Sequence, residues 1–185
     1  MKPLKPPAPA ALFLAILYGP TCDDENVPSF VSGHFGEILL QSPVFAFTFS
    51  EYYEKEMGRN LRKVFFLLDK LIDPAELPEW KLRALELEEQ HAEAGRRTIN
   101  LDPGYLELPK LVLATTKNFA HRIYLGRGIY ADVQLYMRNG NFQANPWTYP
   151  DYKHPEHLLF FEQARKKYFE KMKALTGAIK AFEHG

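Results

Sequence analysis

The chain has 185 residues, and 23 lysines and arginines balance 23 aspartates and glutamates, so no whole-molecule field draws it onto nucleic acid or anionic lipid. Hydrophobic residues at 46% and charged residues at 25% exclude a disordered chain and allow one domain with a sizeable core. The single cysteine, Cys22, excludes an intrachain disulfide framework, a multi-cysteine metal site and an iron–sulfur cluster, and it points to a reducing cytoplasm.

Residues 1–10 form a proline-rich tail ahead of a single α+β domain over 11–185. Lys2 and Lys5 before the apolar run Ala10–Tyr18, with Cys22 beyond it, imitate a lipoprotein signal. Pro3, Pro6, Pro7 and Pro9, together with the poor cleavage context Gly19-Pro20-Thr21, argue against that reading. No run approaches the roughly 20 apolar residues of a membrane span. Leu12–Tyr18 is instead a first buried strand ended by Gly19-Pro20.

Thr21–Phe35 is polar and broken by Pro28 and Gly33, which suggests at most a short irregular helix. Ile38–Leu40 and then the alternation of Phe45, Phe47 and Phe49 read as strand, with Pro43 at a bulge or edge. Leu61–Ile72 reads as another strand, with helix as its competitor. Leu77, Trp80, Ala84, Leu87 and His91 recur at helical spacing and predict a helix over Pro78–Ala94, stopped by Gly95. Thr98–Leu101 alternates as a strand. Asp102-Pro103-Gly104-Tyr105 has the composition of a type II turn. Pro109 then suits the first turn of a short helix containing Leu111, Val112 and Thr115.

His121–Leu125, Ile129–Arg138 and Asn141–Asn145 predict a meander, with Gly126-Arg127-Gly128 and Asn139-Gly140 as its turns. A final helix from Pro155 to Phe182 carries the stripe Leu158, Phe161, Ala164, Tyr168, Met172, Leu175 and Ile179. The expected fold is therefore α+β. An antiparallel-rich sheet with a ferredoxin-like split β-α-β unit is extended by a β-meander and a long C-terminal helix.

Polar residues can be assigned to faces of these strands. Thr98, Asn100 and Asp102 share one side of their strand. In the meander, Ile129, Ala131, Val133, Leu135 and Met137 make an apolar face opposed by Tyr130, Asp132, Gln134, Tyr136 and Arg138, and Arg122 and Tyr124 alternate likewise. Such a mixture suits a polar small molecule, and a solvated or salt-bridged face beneath the last helix competes with that reading. Asp102, Lys117 and His121 are the candidates for acid–base chemistry. Asn100, Tyr105, Arg122, Tyr124, Asp132, Glu51, Tyr52, Glu56 and Trp147 are the candidates for ligand binding. The acidic, aromatic stretch Glu51–Glu56 can also be a solvated loop, and Pro146–Tyr152 a rigid strap.

No metal site is expected: His154 and His157 are separated by Pro155, and His91 falls on an apolar stripe. No cofactor is implied. No glycine loop followed by Lys and Ser or Thr cradles phosphates, so any GTP binding would not be of P-loop type. The functional expectation is a cytoplasmic protein that binds, or turns over, a polar or phosphorylated small molecule near Asp102. The alternative is a protein or nucleic-acid interaction module using Arg165, Lys166, Lys167, Lys171 and Lys173 on the last helix. Glu162 and Glu170 interrupt those cations, which argues against nucleic acid. The sequence implies no oligomeric state.

Five strings occur in order: Ser50–Gly58, Asn100–Leu106, Leu111–Lys117, His121–Leu125 with Gly128–Tyr130, and Pro146–Tyr152. Together they resemble the domain-of-unknown-function 4416 family of small prokaryotic proteins, and the resemblance runs from Leu12 to the last helix. Over Thr21–Phe35 the family pattern is more regularly helical than this sequence. The resemblance implies no established reaction, although a GTP-binding description attaches to some members.

Overall fold

The structure, a computed structural model, describes residues 4–183. Strand β1 (Ala10–Tyr18) is buried at all nine positions, because its unbroken apolar run is covered on both sides. Helix α1 (Asn26–Phe35) follows, burying Val27, Val31 and Phe35 one turn apart and ending at Gly36, whose φ of 110° favours glycine. Short strands β2 (Ile38–Gln41) and β3 (Phe45–Ala46) precede the four-residue helix α2 (Glu54–Met57). Strand β4 (Arg62–Ile72) and helix α3 (Leu77–Gln90) come next, joined by a 3-10 turn at Pro74–Glu76.

The remaining strands are β5 (Ile99–Leu106), β6 (Lys110–Thr115), β7 (Ile123–Gly126), β8 (Ile129–Arg138) and β9 (Asn141–Ala144). A 3-10 strap at Pro150–Lys153 leads into the long helix α4 (Pro155–Glu183).

All nine strands join one antiparallel sheet with the order β2-β4-β1-β5-β6-β8-β7, β3 adding to β4 and β9 to β8. The first part, β2-β4-β1-β5, carries α1 and α3 on one face, an arrangement compatible with the expected ferredoxin-like unit. On that face Leu12, Leu14, Ile16, Val64 and Phe66 pack against Val31, Phe35, Trp80 and Ala84. On the other face Phe13, Phe65 and Leu67 pack against Phe160, Phe161, Ala164 and Tyr168 of α4. Tyr168 also donates its hydroxyl to the Pro9 carbonyl at 2.8 Å, so α4 is anchored near the start of β1. Met172 continues the α4 stripe, whereas Leu175 is exposed; Ile179 lies outside the residues whose side chains are described.

Several local expectations are corrected. Asp102-Pro103-Gly104-Tyr105 is no turn: it lies inside β5, paired residue by residue with Ala15, Leu14, Phe13 and Leu12. The segment after Pro109 is strand β6 rather than a helix. Leu111 to Ala114 are buried consecutively, as a strand covered on both faces requires, and Pro109 sits in the tight turn where Glu107 N–H donates to the Lys110 carbonyl at 3.0 Å. Strand character ends at Ala46, so Phe47 and Phe49 project from a loop.

The single apolar face expected for β8 is split. Leu111 pairs with Leu135 and Val112 with Val133, which leaves Gln134 as an extra residue in a bulge. Ala131 and Val133 consequently face the α3 side, while Leu135 and Met137 join the core under α4. The expected succession of hairpins β7–β8 and β8–β9 forms, and β8 also pairs with β6, which joins these strands to the rest of the sheet.

Candidate functional site

The sheet forks between β5 and β6. Their ladder spans only Gly104–Leu106 with Leu111–Leu113, after which β5 stays with β1 and β6 with β8. Pro103 and Gly104 explain the fork. Proline offers no N–H on the edge that faces β6, and a Cβ on Gly104 would come within 2.3 Å of the Val112 carbonyl oxygen, so only glycine permits the close crossing. Beyond the crossing, the backbone of Leu101 has no strand partner on that edge. Two side chains of α3 replace it: the Leu101 N–H donates to Glu88 Oε1 at 2.7 Å, and Lys81 Nζ donates to the Leu101 carbonyl at 2.7 Å.

Through this gap Lys81 reaches from the α3 layer to Asp102, which faces the opposite side of the sheet beside Ala15. Lys81 Nζ lies 3.1 Å from Asp102 Oδ1, and Asn100 donates to Asp102 Oδ2 at 2.9 Å. Arg97 donates to Asn100 at 3.0 Å and pairs with Glu88 at 3.2 Å. It also holds Glu56 of α2 through two bonds of 2.8 and 2.6 Å. Burial pushes the Asp102 carboxyl up, but the charges of Lys81 and Lys63 and the bonds from Lys81 and Asn100 outweigh it and hold the group below the usual carboxylate value. Glu88 shifts the other way, because its burial outweighs the nearby Lys81.

Two adjoining cavities meet at this cluster. One, of about 190 Å³, lies in the fork between Lys81, Glu88, Arg97 and Asn100 on one side and Thr115, Thr116 and Lys117 on the other. The second, of about 310 Å³, is walled by Phe47, Phe49 and Ser50 and bounded by Lys63, Arg122 and Asp151. Asp102, Lys117, Tyr52, Tyr53 and Tyr149 line both. Burial pushes the Tyr149 phenol up to about 12 and that of Tyr53 higher still, so both remain neutral donors.

Lys63 Nζ donates to the buried Asp151 at 2.5 Å and lies over the Phe47, Phe65 and Tyr152 rings. Arg122 is held from three directions: its Nε bonds Asp132 at 2.8 Å, Nη1 the Lys117 carbonyl at 2.9 Å and Nη2 the Tyr149 hydroxyl at 3.1 Å. Lys117 Nζ bonds the Tyr52 hydroxyl at 3.2 Å and sits 4.3 Å from the centre of that ring.

Of the residues singled out in the sequence, the structure thus brings Asn100, Asp102, Lys117, Arg122 and Tyr52 to one cleft, with Glu56 and Asp132 bracing it from behind. It does not bring the others. His121 stacks on Trp147 with ring centres 4.7 Å apart, behind Arg122 and 3.5 Å from Asp132. Tyr105 faces the α3 side of the sheet, Tyr124 is exposed on β7, and Glu51 lies on the outer side of the loop. Gly126-Arg127-Gly128 is a hairpin turn whose Arg127 pairs with Glu79 of α3.

Sequence reasoning missed Lys63, Lys81, Glu88, Arg97, Tyr149 and Asp151. A signal existed for three of them. Lys63 shares a strand face with Phe65 and Leu67, and Lys81 and Glu88, seven residues apart, each follow an apolar stripe residue of α3. Among the described residues no group of three or more His, Cys, Asp or Glu side chains could hold a metal ion, and no helix is long and apolar enough to cross a membrane.

Comparison with known proteins returns no matching curated protein and no matching solved structure. The family model for a domain of unknown function, DUF4416, matches residues 8–168, most of the 185-residue chain. The chain, with its forked sheet and the cleft built there, therefore belongs to the DUF4416 family.

Proposed function

We propose that this protein binds a polar or phosphorylated small molecule in the cleft at the sheet fork, with Asp102 as its central hydrogen-bond acceptor, and that it does so in the cytoplasm. The observation that carries the reading is the concentration of buried charge at a gap in the sheet that opens to two cavities. Lys63, Lys81 and Glu88 are each at most 5% exposed, whereas the Asp102 side chain keeps 23% of its surface accessible. Buried ion pairs are no better for stability than well-packed apolar residues of similar volume, so a purely structural role does not account for so many charged groups here. Shifted ionisation in a cleft is characteristic of working sites.

Asp102 is ionised and already oriented by Lys81 and Asn100, with lone pairs left for a ligand hydroxyl, amine or amide. Asp102 and Lys117 are also the groups placed to move a proton on a bound molecule. The basic face of α4 has less support. Arg165 donates to the Leu108 carbonyl and Lys171 pairs with Asp69, which commits two of its five cations to the fold.

A thermal-shift panel of sugar phosphates, nucleotides, small carboxylates and divalent ions tests the reading. At least one compound should raise the melting temperature of the wild type, and Asp102→Asn should abolish that shift while moving the unliganded transition by only a few degrees. Shifts that survive Asp102→Asn contradict it.

A further inference from the structure

Resting on that reading, we infer what kind of molecule the larger cavity accepts: a compact oxyanion with a single flat ring, its phosphate or carboxylate held between Lys117 and Arg122 and its ring against Phe47, Phe49 and Tyr52. The charge argument singles out Lys117. Of the cations that line the cleft, Lys63 is paired with Asp151, Lys81 with Asp102, Arg97 with Glu56 and Glu88, and Arg122 with Asp132. Lys117 has no carboxylate partner among the described residues; its ammonium rests on the Tyr52 hydroxyl and ring. An anion entering the cavity therefore meets one uncompensated positive charge at its rim.

Arg122 supplies the geometry. Asp132, the Lys117 carbonyl and the Tyr149 hydroxyl each take one of its N–H groups, which fixes the guanidinium plane and leaves one N–H on each terminal nitrogen. The bond from Arg122 to the carbonyl of residue 117 also ties the two cationic residues into one unit. A planar fork beside an ammonium suits the oxygens of a phosphate or carboxylate.

Much of the remaining lining is aromatic. Phe47 and Phe49 stand with ring centres 5.8 Å apart in the loop that leaves β3, and Tyr52 packs edge-on against Tyr53 at 5.1 Å. At about 310 Å³ the cavity is at the lower end of the range for small-molecule sites, roughly 300–1,000 Å³. That size accommodates one ring and its anionic group.

The test is calorimetric titration with phenyl phosphate, benzoate, inorganic phosphate and phenol at low and high salt. Phenyl phosphate or benzoate, whichever binds better, should bind at least tenfold more tightly than both phosphate and phenol, because only the joined molecule uses both the cations and the aromatic lining. Lys117→Gln should weaken that binding at least tenfold and flatten its salt dependence, while Phe49→Ala should reduce binding of the ring compounds and leave inorganic phosphate unchanged. Ring oxyanions that bind no better than their halves, or binding indifferent to Lys117→Gln, overturn the inference. Should the thermal-shift panel give an Asp102-dependent ligand of another kind, this inference fails and the broader reading stands. If no ligand depends on Asp102, both fail.

Discussion

The two ends of one sheet face are built to opposite rules. Under α4, β1 and β4 contribute Phe13, Phe65 and Leu67, and the helix answers with Phe160, Phe161 and Ala164 in an apolar cluster. A few residues along the same strands, past the first turn of α4, loops replace the helix, among them the Pro150–Lys153 strap and the segment from Phe47 to Tyr53, and there the face gathers Lys63, Asn100, Asp102 and Asp151. The first end contributes stability through apolar burial. The second spends buried surface on charges that stabilise the fold little, at the fork between β5 and β6. The contrast teaches that the fork is not a packing defect: proline and glycine open it, and α3 supplies side chains that satisfy the freed backbone.

The largest effect should come from breaking the apolar end. Phe161→Ala removes a fully buried ring stacked on Tyr152 and packed on Phe13 and Phe65, and should cost about 3–5 kcal/mol in denaturant unfolding. Ligand-dependent thermal shifts should survive it wherever the protein still folds.

At the polar end, Lys81→Met strips the Leu101 carbonyl of its side-chain donor and leaves Asp102 only the Asn100 amide of the two groups that orient it, and should cost about 1.5–3 kcal/mol near neutral pH. The sign with pH is fixed by Asp102. Its folded-state carboxyl is held below the ordinary value, so the stability it contributes is present above the unfolded pKa and lost as pH falls through the folded one. The gap between wild type and Lys81→Met should therefore narrow as the pH falls through the carboxylate range, beginning where burial, no longer offset by Lys81, lets Asp102 take up a proton in the variant. A gap that stays constant down to acid pH would show that the lost carbonyl bond alone matters.

Gly104→Ala drives a methyl group into the Val112 carbonyl and should cost about 1–3 kcal/mol by prising β5 from β6. Hydrogen exchange at Tyr105 and Val112, which face each other across the β5–β6 ladder, should quicken in that variant more than exchange at Leu14 or Phe66, which lie in the unforked part.

The smallest effect lies on the seam between the two ends. His157 is buried, its ring 3.9 Å from that of Phe45 and its Nδ1 on the Asp151 carbonyl, with His154, the Asp151 carboxylate and Lys63 as the titratable groups around it. Burial holds its imidazole below the ordinary value. Stability from the neutral ring is thus full above about pH 6.5 and declines as pH falls from there toward the folded-state value. His157→Gln should flatten that part of the stability curve.

How much of this was legible in the sequence follows from which signals are local. The periodicity of α3, the buried run of β1 and the α4 stripe are local, and each element forms in its expected stretch, although α3 ends at Gln90 rather than at Ala94. Asp102-Pro103-Gly104 was misread because proline and glycine mark a turn and a strand fork with the same two letters. Only the proximity of Val112 tells them apart, and that is a tertiary fact. The bulge at Gln134, which swaps the faces of Leu135 and Met137, is likewise invisible without β6 alongside. In the cleft, residues named for their chemistry, such as Asp102, Lys117 and Arg122, did converge. Their partners Lys63, Lys81 and Arg97 were passed over because a cation in an apolar run or on a helix resembles ordinary solvation until burial is known.

The most direct test of the cleft is amide chemical-shift mapping of the 15N-labelled protein with the strongest compound from the thermal-shift panel. The account predicts that perturbations cluster on Asn100–Asp102, Thr115–Lys117 and Tyr52–Tyr53, with the exposed side of α4 around Lys166 and Lys173 unmoved. Perturbations centred on α4, with the fork silent, would contradict it.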